Sequence, residues 1–298
     1  MKKYLIAALV AFSSLTNAQT LLEDQFQFNF LALNPAFAGA RQSFSLNAML
    51  GNQFNGTLRP QQIYQLFSSD GLIQQGKGGL GLQAFNSNIS GFNNSGVKAS
   101  YAYRQQFGEL FSVALGADAG FVYQPTILAG LGARQLFPYM GLGGLLQADR
   151  FYLSLSKPVL LINDEGLFGS KKPFYTMLGA SLGEYDGTMF NISTLIETNK
   201  TAGNAFSLNG KAWFNRKFGI GISYRLQEVN SERVNKFVPM AEFQLSDAIR
   251  LGASYDPKPP TFRTQGSQSN FQQNGILQVY FRYEGRGEER TTNRLKYY

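Results

Sequence analysis

The feature that most constrains this chain is an alternation of period two that recurs from about residue 44 to residue 284. In GVKASYAYRQ, Val97, Ala99, Tyr101 and Tyr103 fall on one face and Lys98, Ser100 and Arg104 on the other. In AFSLNGKAWFN, Phe206, Leu208, Gly210, Ala212 and Phe214 oppose Ser207, Asn209, Lys211 and Asn215. In AIRLGASYD, Ile249, Leu251, Ala253 and Tyr255 oppose Arg250, Ser254 and Asp256. Side chains of a strand point alternately to its two sides, so these are strands with one apolar and one polar face. Roughly fourteen such segments occur, near the ~10-residue length of a membrane-spanning strand. They centre near 44–54, 62–69, 78–86, 95–105, 110–123, 138–147, 150–159, 174–183, 188–198, 205–215, 218–227, 238–245, 248–256 and 275–284.

Such a chain folds as a sandwich or a barrel. Charged residues make up 15% of it, against ~25% in soluble domains. Phe and Tyr number 26 and 15. The connections decide between the two architectures. From NSNISGFNNSG onward, long and short alternate: QFGE, then QPTILAGLGARQLFP, QADR, LLINDEGLFGSKKP, EYDG, NKTAGN, NRKF, EVNSERVNKF, SDA and PKPPTFRTQGSQSNFQQ. A sandwich has no reason to sort its loops by parity, whereas outer-membrane barrels have long loops outside and tight turns in the periplasm. The expectation is an all-β, transmembrane, antiparallel up-and-down β-barrel of about 14 strands, with both termini periplasmic.

The opening MKKYLIAALVAFSSLTNA has a basic start, an apolar middle and small residues at Thr16 and Ala18. It reads as a signal peptide over 1–18, cleaved near Ala18–Gln19, and is too short for a spanning helix. The remaining organisation is a periplasmic lead-in over 19–42, a barrel over 43–284 and a periplasmic tail over 285–298. The net charge is +8 and falls to +6 when Lys2 and Lys3 leave. The cations are scattered singly through strands rather than clustered, which argues against nucleic acid and leaves membrane lipid as the surrounding partner.

The polar strand faces line the lumen. The candidates are Lys98, Arg104, Lys211, Arg225, Arg250 and Arg282, with Asp118, Glu197 and Glu242 on matching faces. Two readings stand: an interior filled by pairs of opposite charge, or an anion-selective pore. Catalysis finds little footing, because the chain has no His and no Cys. GASLG (179–183) lacks a histidine partner for Ser181. GLIQQGK (71–77) is followed by Gly78, not by a hydroxyl residue and helix. SLSK puts Ser154 and Lys157 on opposite strand faces. NDEG (163–166) is far from a calcium loop. The chain is expected to be no enzyme and to use no cofactor or metal.

One stretch has neither period. QFNFLALNPAFAGA precedes the first strand, and Asn34-Pro35 interrupts its apolar run. Proline removes a backbone donor and biases the preceding residue toward extended geometry. This stretch, followed by the Asn52-Gln53-Phe54 element, resembles the opening of the PorP/SprF family, outer-membrane proteins of the Bacteroidetes type IX secretion and gliding motility systems. GGLGLQAFNSNISGFNNSGVKASYAYR, FPYMGLGGLLQADRFYLSLSKP and the strands ending Tyr224-Arg225 and Tyr255-Asp256 continue the likeness, which runs from Gln25 to Tyr298. The chain departs from the family in QQNGILQV, which lacks a His-Glu element, and in GTMFNIST, which lacks a proline.

The resemblance implies a non-enzymatic barrel that assists export or surface anchoring of a secreted, adhesin-like protein with a type-B C-terminal domain. It equally implies a link to periplasmic type IX subunits or a peptidoglycan-associated one. The competing reading is a diffusion porin or small-molecule transporter. Phe26, Phe28, Phe30, Asn34, Pro35, Ala36, Phe37 and Gly39 are the candidates for partner contact or for a plug that folds into the periplasmic mouth and partly closes it. The plainer alternative is a lead-in that merely starts the first strand. Arg294, Lys296, Tyr297 and Tyr298 are the corresponding candidates in the tail, which is either a solvated end or a docking peptide.

Overall fold

A computed structural model describes residues 26–54, 60–89, 92–108, 110–128, 131–157, 173–184, 187–199, 204–229, 232–257 and 275–285. The signal segment and the tail candidates Arg294, Lys296, Tyr297 and Tyr298 lie outside the described residues. The strands are β1 (Ser45–Phe54), β2 (Pro60–Ile73), β3 (Gly78–Ile89), β4 (Phe92–Phe107), β5 (Phe111–Leu128), β6 (Leu131–Ala148) and β7 (Phe151–Lys157). They continue as β8 (Phe174–Gly183), β9 (Thr188–Thr198), β10 (Ala205–Phe214), β11 (Phe218–Val229), β12 (Glu232–Gln244), β13 (Ile249–Asp256) and β14 (Ile276–Glu284). Each pairs with its neighbours in sequence, and β1 also pairs antiparallel with β14, from Ser45↔Glu284 to Gln53↔Ile276. The result is a closed, antiparallel, 14-stranded barrel with no free edge.

Closure places Ser45, Glu284 and the short turns after β2, β4, β6, β8, β10 and β12 at one end of the barrel. Several stretches expected to be long loops are instead strand over their described residues. QPTILAGLGARQLFP becomes the top of the longest hairpin, with pairs running from Gln124↔Gln135 to Leu128↔Leu131. NSNISGFNNSG and EVNSERVNKF likewise extend β3–β4 and β11–β12, to Ile89↔Phe92 and Val229↔Glu232. Backbone pairing needs no apolar face, so a ladder can continue where hydrophobic alternation ends. The hydrophobic pattern therefore stops before the strand does.

The outer face is apolar and banded. On β5 the outward positions read Phe111, Val113, Leu115, Ala117, Ala119, Phe121 and Tyr123, with Leu115 68% exposed. Two aromatic levels thus bracket an aliphatic stretch. About ten residues of tilted strand, at ~3.3 Å each, match the ~25 Å apolar band of a membrane barrel. The same banding recurs around the wall, with Phe107, Phe151, Phe214 and Phe218 exposed toward the turn end. Leu115→Arg is expected to destabilise the barrel in lipid vesicles by about 2–4 kcal/mol. Leu136→Arg, beside Tyr123, should cost only about 0–1 kcal/mol. Equilibrium unfolding in denaturant checks both, and equal costs would disprove the band.

Candidate functional site

The lumen is occupied by the chain's own lead-in. Every residue from Phe26 to Gly39 is buried. The backbone forms three short 3₁₀ turns, Phe26–Phe28, Phe30–Ala32 and Pro35–Phe37. Local sequence explains the third. Asn34 is extended, its carboxamide oxygen accepts from Ala36 N at 2.8 Å, and Pro35 occupies the first position, where its missing N–H costs nothing. Two phenylalanine rings, Phe30 and Phe37, stack at 4.9 Å over Tyr152.

A backbone without regular structure can be buried only if its polar groups find partners. The wall supplies them. The consecutive carbonyls of Leu31, Ala32 and Leu33 accept from Gln83 on β3 (2.9 Å), Lys98 on β4 (3.0 Å) and Ser156 on β7 (2.7 Å). Arg104 donates to the carbonyls of Gly39 (2.9 Å) and Ala36 (3.3 Å), and Arg282 to that of Phe28 (3.1 Å). Asp70 accepts from Gly39 N at 2.9 Å. The Asn34 amide nitrogen lies within reach of Gly144 O, Ser154 Oγ and Leu155 O, at 2.6–3.1 Å. Gln27 meets Met240 on the opposite wall.

The wall is also shaped for the segment. A Cβ at Gly116 would overlap the Ala36 backbone, and one at Gly143 would overlap the Asn34 carboxamide. The apolar side chains find apolar inward positions. Phe26, Phe30, Leu33 and Phe37 pack with Ala114, Leu145, Tyr152, Met177 and Leu195. Phe28 and Ala32 pack with Met49, Leu66, Met240 and Tyr280, the Phe28 and Tyr280 rings stacking at 4.8 Å. The eight candidates of the lead-in are thus gathered inside the barrel and not at its rim.

The nine lumen candidates all point inward, and the structure pairs most of them. Lys98 bonds Asp118 at 2.9 Å and approaches the Tyr139 hydroxyl at 3.3 Å. Glu242 lies between Lys211 (2.5 Å) and Arg250 (3.7 Å), and Arg250 sits 4.4 Å over the Trp213 ring. Arg225 pairs with Glu197 at 3.1 Å and Arg282 with Glu284 at 3.5 Å. Sequence reasoning placed Asp256 on a polar face without naming it a lumen candidate and missed Lys236, with which it pairs at 2.8 Å, and also Arg41, Asp70 and Tyr139. Lys236 falls in EVNSERVNKF, which reads as a loop from sequence, and Asp70 lies just past the expected end of its strand. The pairs bridge strands rather than leaving a run of free cations along a channel. Ser181, of the GASLG string, lies within β8 and donates to Asn191 at 2.8 Å.

A sequence profile described as type IX secretion system membrane protein PorP/SprF matches residues 15–273. No curated protein matches the chain. Solved structures give distant likenesses to barrels. The Acinetobacter baumannii outer-membrane protein Omp33 is 8% identical over 82% of this chain and 98% of its own, with a TM-score of 0.49. A Pseudomonas aeruginosa FadL homologue is 11% identical over 91% and 95%, at 0.48. A KdgM porin is 9% identical over 81% and 99%, at 0.41. At that distance nothing about transport or ligand carries over.

Gly116→Val and Gly143→Val should unseat the inner segment and leave the ladder intact. Amide exchange at residues 30–38 is then expected to quicken at least tenfold, with β9–β11 unchanged. Unaltered exchange at residues 30–38 would mean that the wall does not hold the segment in this way.

Proposed function

The chain belongs to the PorP/SprF family of type IX secretion system membrane proteins, and on that premise we propose that it is a closed outer-membrane barrel that works by holding other proteins, not by passing solutes. The observation that carries this reading is the unbroken burial of Phe26 to Gly39 inside the barrel. A diffusion porin needs a continuous water path. Here fourteen strands enclose a segment whose backbone is bonded to β3, β4, β7 and β14 at once. Covering that path with the chain's own residues is costly in ordering entropy, and it serves a barrel whose work lies at its two rims.

In this reading the signal segment is removed near Ala18–Gln19, and the short-turn end with both termini faces the periplasm. That end engages type IX periplasmic or peptidoglycan-associated subunits. The other end receives or anchors a secreted protein with a type-B C-terminal domain. The barrel performs no chemistry of its own.

Two measurements test the proposal together. In planar bilayers the intact protein should be silent, while a variant lacking residues 26–39, or the Gly116→Val/Gly143→Val pair, should conduct. Affinity purification from the outer membrane in mild detergent should recover a secreted or type IX protein in near-stoichiometric amount. Steady conductance by the intact protein, with only assembly machinery and lipopolysaccharide recovered, would turn the reading to a pore.

A further inference from the structure

One cation of the lumen is unlike the rest. Lys98, Lys211, Arg225, Lys236, Arg250 and Arg282 each have a carboxylate within 4.0 Å. Arg104 is equally buried, at 7% exposure, yet among the described residues no carboxylate lies within that distance of it. Its terminal nitrogens donate to the neutral carbonyls of Gly39 and Ala36, and its Nε–H has no acceptor. The nearby Asp70 carboxylate accepts from Gly39 N and from Ser45 Oγ, at 2.9 and 2.6 Å. The guanidinium feels the charge of Asp70 only from beyond 4.0 Å, and a closer anion would stabilise it further.

Arg104 lines a hollow of about 830 Å³ at the short-turn end, beside the point where the lead-in leaves the lumen. That size falls within the ~300–1,000 Å³ of ligand sites. Its rim carries Gln42, Gln74, Gln75, Gln105, Gln106 and Lys77. The backbone under these side chains is unusual. Gln42, Gln74 and Gln75 have φ of 58°, 53° and 56°, in the left-handed region. Gly or Asn occupies such turn positions more readily. Among the described residues six non-glycine positions have positive φ, and half of them are glutamines on this one hollow. Gln74 and Gln75 take this φ because the tight β2–β3 turn requires it, and the turn places both residues on the hollow.

We propose that this hollow binds an acidic peptide segment of a partner protein. The segment's carboxylate is drawn to the Arg104–Lys77 corner. Its backbone N–H and C=O groups are met by the carboxamides of Gln42, Gln75 and Gln106, which both donate and accept, while Gln74 and Gln105 are held by Tyr101 and Tyr103. An uncharged sugar would satisfy the carboxamides and leave the guanidinium without an anion. A lipid phosphate approaches from the outer wall, where Tyr101 and Tyr103 are exposed, whereas Arg104 faces inward. The proposal rests on the reading that the barrel works through protein contacts, and it names the chemistry of one of them.

The test uses the full-length barrel in neutral detergent and a labelled, N-acetylated peptide alternating glycine and glutamate, followed by fluorescence anisotropy. Saturable binding is expected, at least tenfold tighter than for the glutamine counterpart of the peptide. Arg104→Gln risks unseating the inner segment, so the deciding variant is Lys77→Gln with Gln106→Ala, both on the rim. It should weaken binding at least fivefold while staying folded by unboiled gel mobility and silent in bilayers. Equal binding of the acidic and neutral peptides, or binding unaffected in the rim variant, would overturn the proposal. So would displacement of the peptide by inorganic phosphate or phosphatidylglycerol as readily as by unlabelled peptide, which would assign the hollow to free phosphate or to lipid. A silent barrel that binds no peptide sinks this inference alone, whereas a conducting barrel that binds it sinks only the function above.

Discussion

Backbone that is neither helix nor sheet cannot be buried unless something else satisfies it, and that constraint organises this lumen. The 3₁₀ turns of the lead-in satisfy part of their own need, for example Asn34 N and Leu33 N to Phe30 O. The remainder falls to side chains of the wall. Gln83, Lys98, Arg104, Ser156 and Arg282 come from four different strands and converge on carbonyls of one short segment. The dependence is mutual. Without the segment, Lys98 would keep Asp118 and Arg282 would keep Glu284, but Arg104 would lose both carbonyl acceptors of its guanidinium. Each buried polar group left unmet costs about 1–3 kcal/mol, so wall and segment hold each other in place.

The two sides of the lumen do different work. The wall of β3–β7 is built around the segment, with Gly116 and Gly143 permitting contact that any side chain would block. The wall of β9–β13 satisfies itself through Arg225–Glu197, Lys211–Glu242–Arg250 and Lys236–Asp256. Buried pairs of this kind contribute little net stability compared with apolar packing, while breaking one is expensive. Their arrangement therefore fixes which strands lie opposite one another more than it strengthens the barrel. It also spends the charges that an anion-selective channel would have to leave free.

Much of this was legible because the strand period is strict and local. The fourteen segments, their inward and outward faces and nine of the charged lumen positions follow from alternation alone. Strand ends were not legible at 124–138 or 228–237, because pairing continues where the apolar face has ended. Nor was the choice of partner for each charge, since Lys211 on β10 reaches past β11 to Glu242 on β12. The depth of the lead-in did leave a mark. Met49, Leu66, Met177, Leu195 and Met240 are apolar residues on faces that also carry polar or charged ones. Read as exceptions to alternation they say nothing. Read as a set, they trace an apolar cradle that only an inserted segment could fill.

Arg104 is where these two structures meet. Its backbone N–H donates to Lys77 O beside the β2–β3 turn, at 2.7 Å, while its side chain grips Ala36 and Gly39. Other lumen cations that touch the segment, Lys98 and Arg282, share their charge with a carboxylate of the wall. Arg104 alone of these three holds the segment with no carboxylate within 4.0 Å, at the end of the barrel where the segment runs on into β1. Carbonyl oxygens are weaker acceptors for a guanidinium than a carboxylate is. Of the three clamps on the segment, this is the one that an anion arriving from the short-turn side could compete for, and the position of the mouth follows from barrel closure itself.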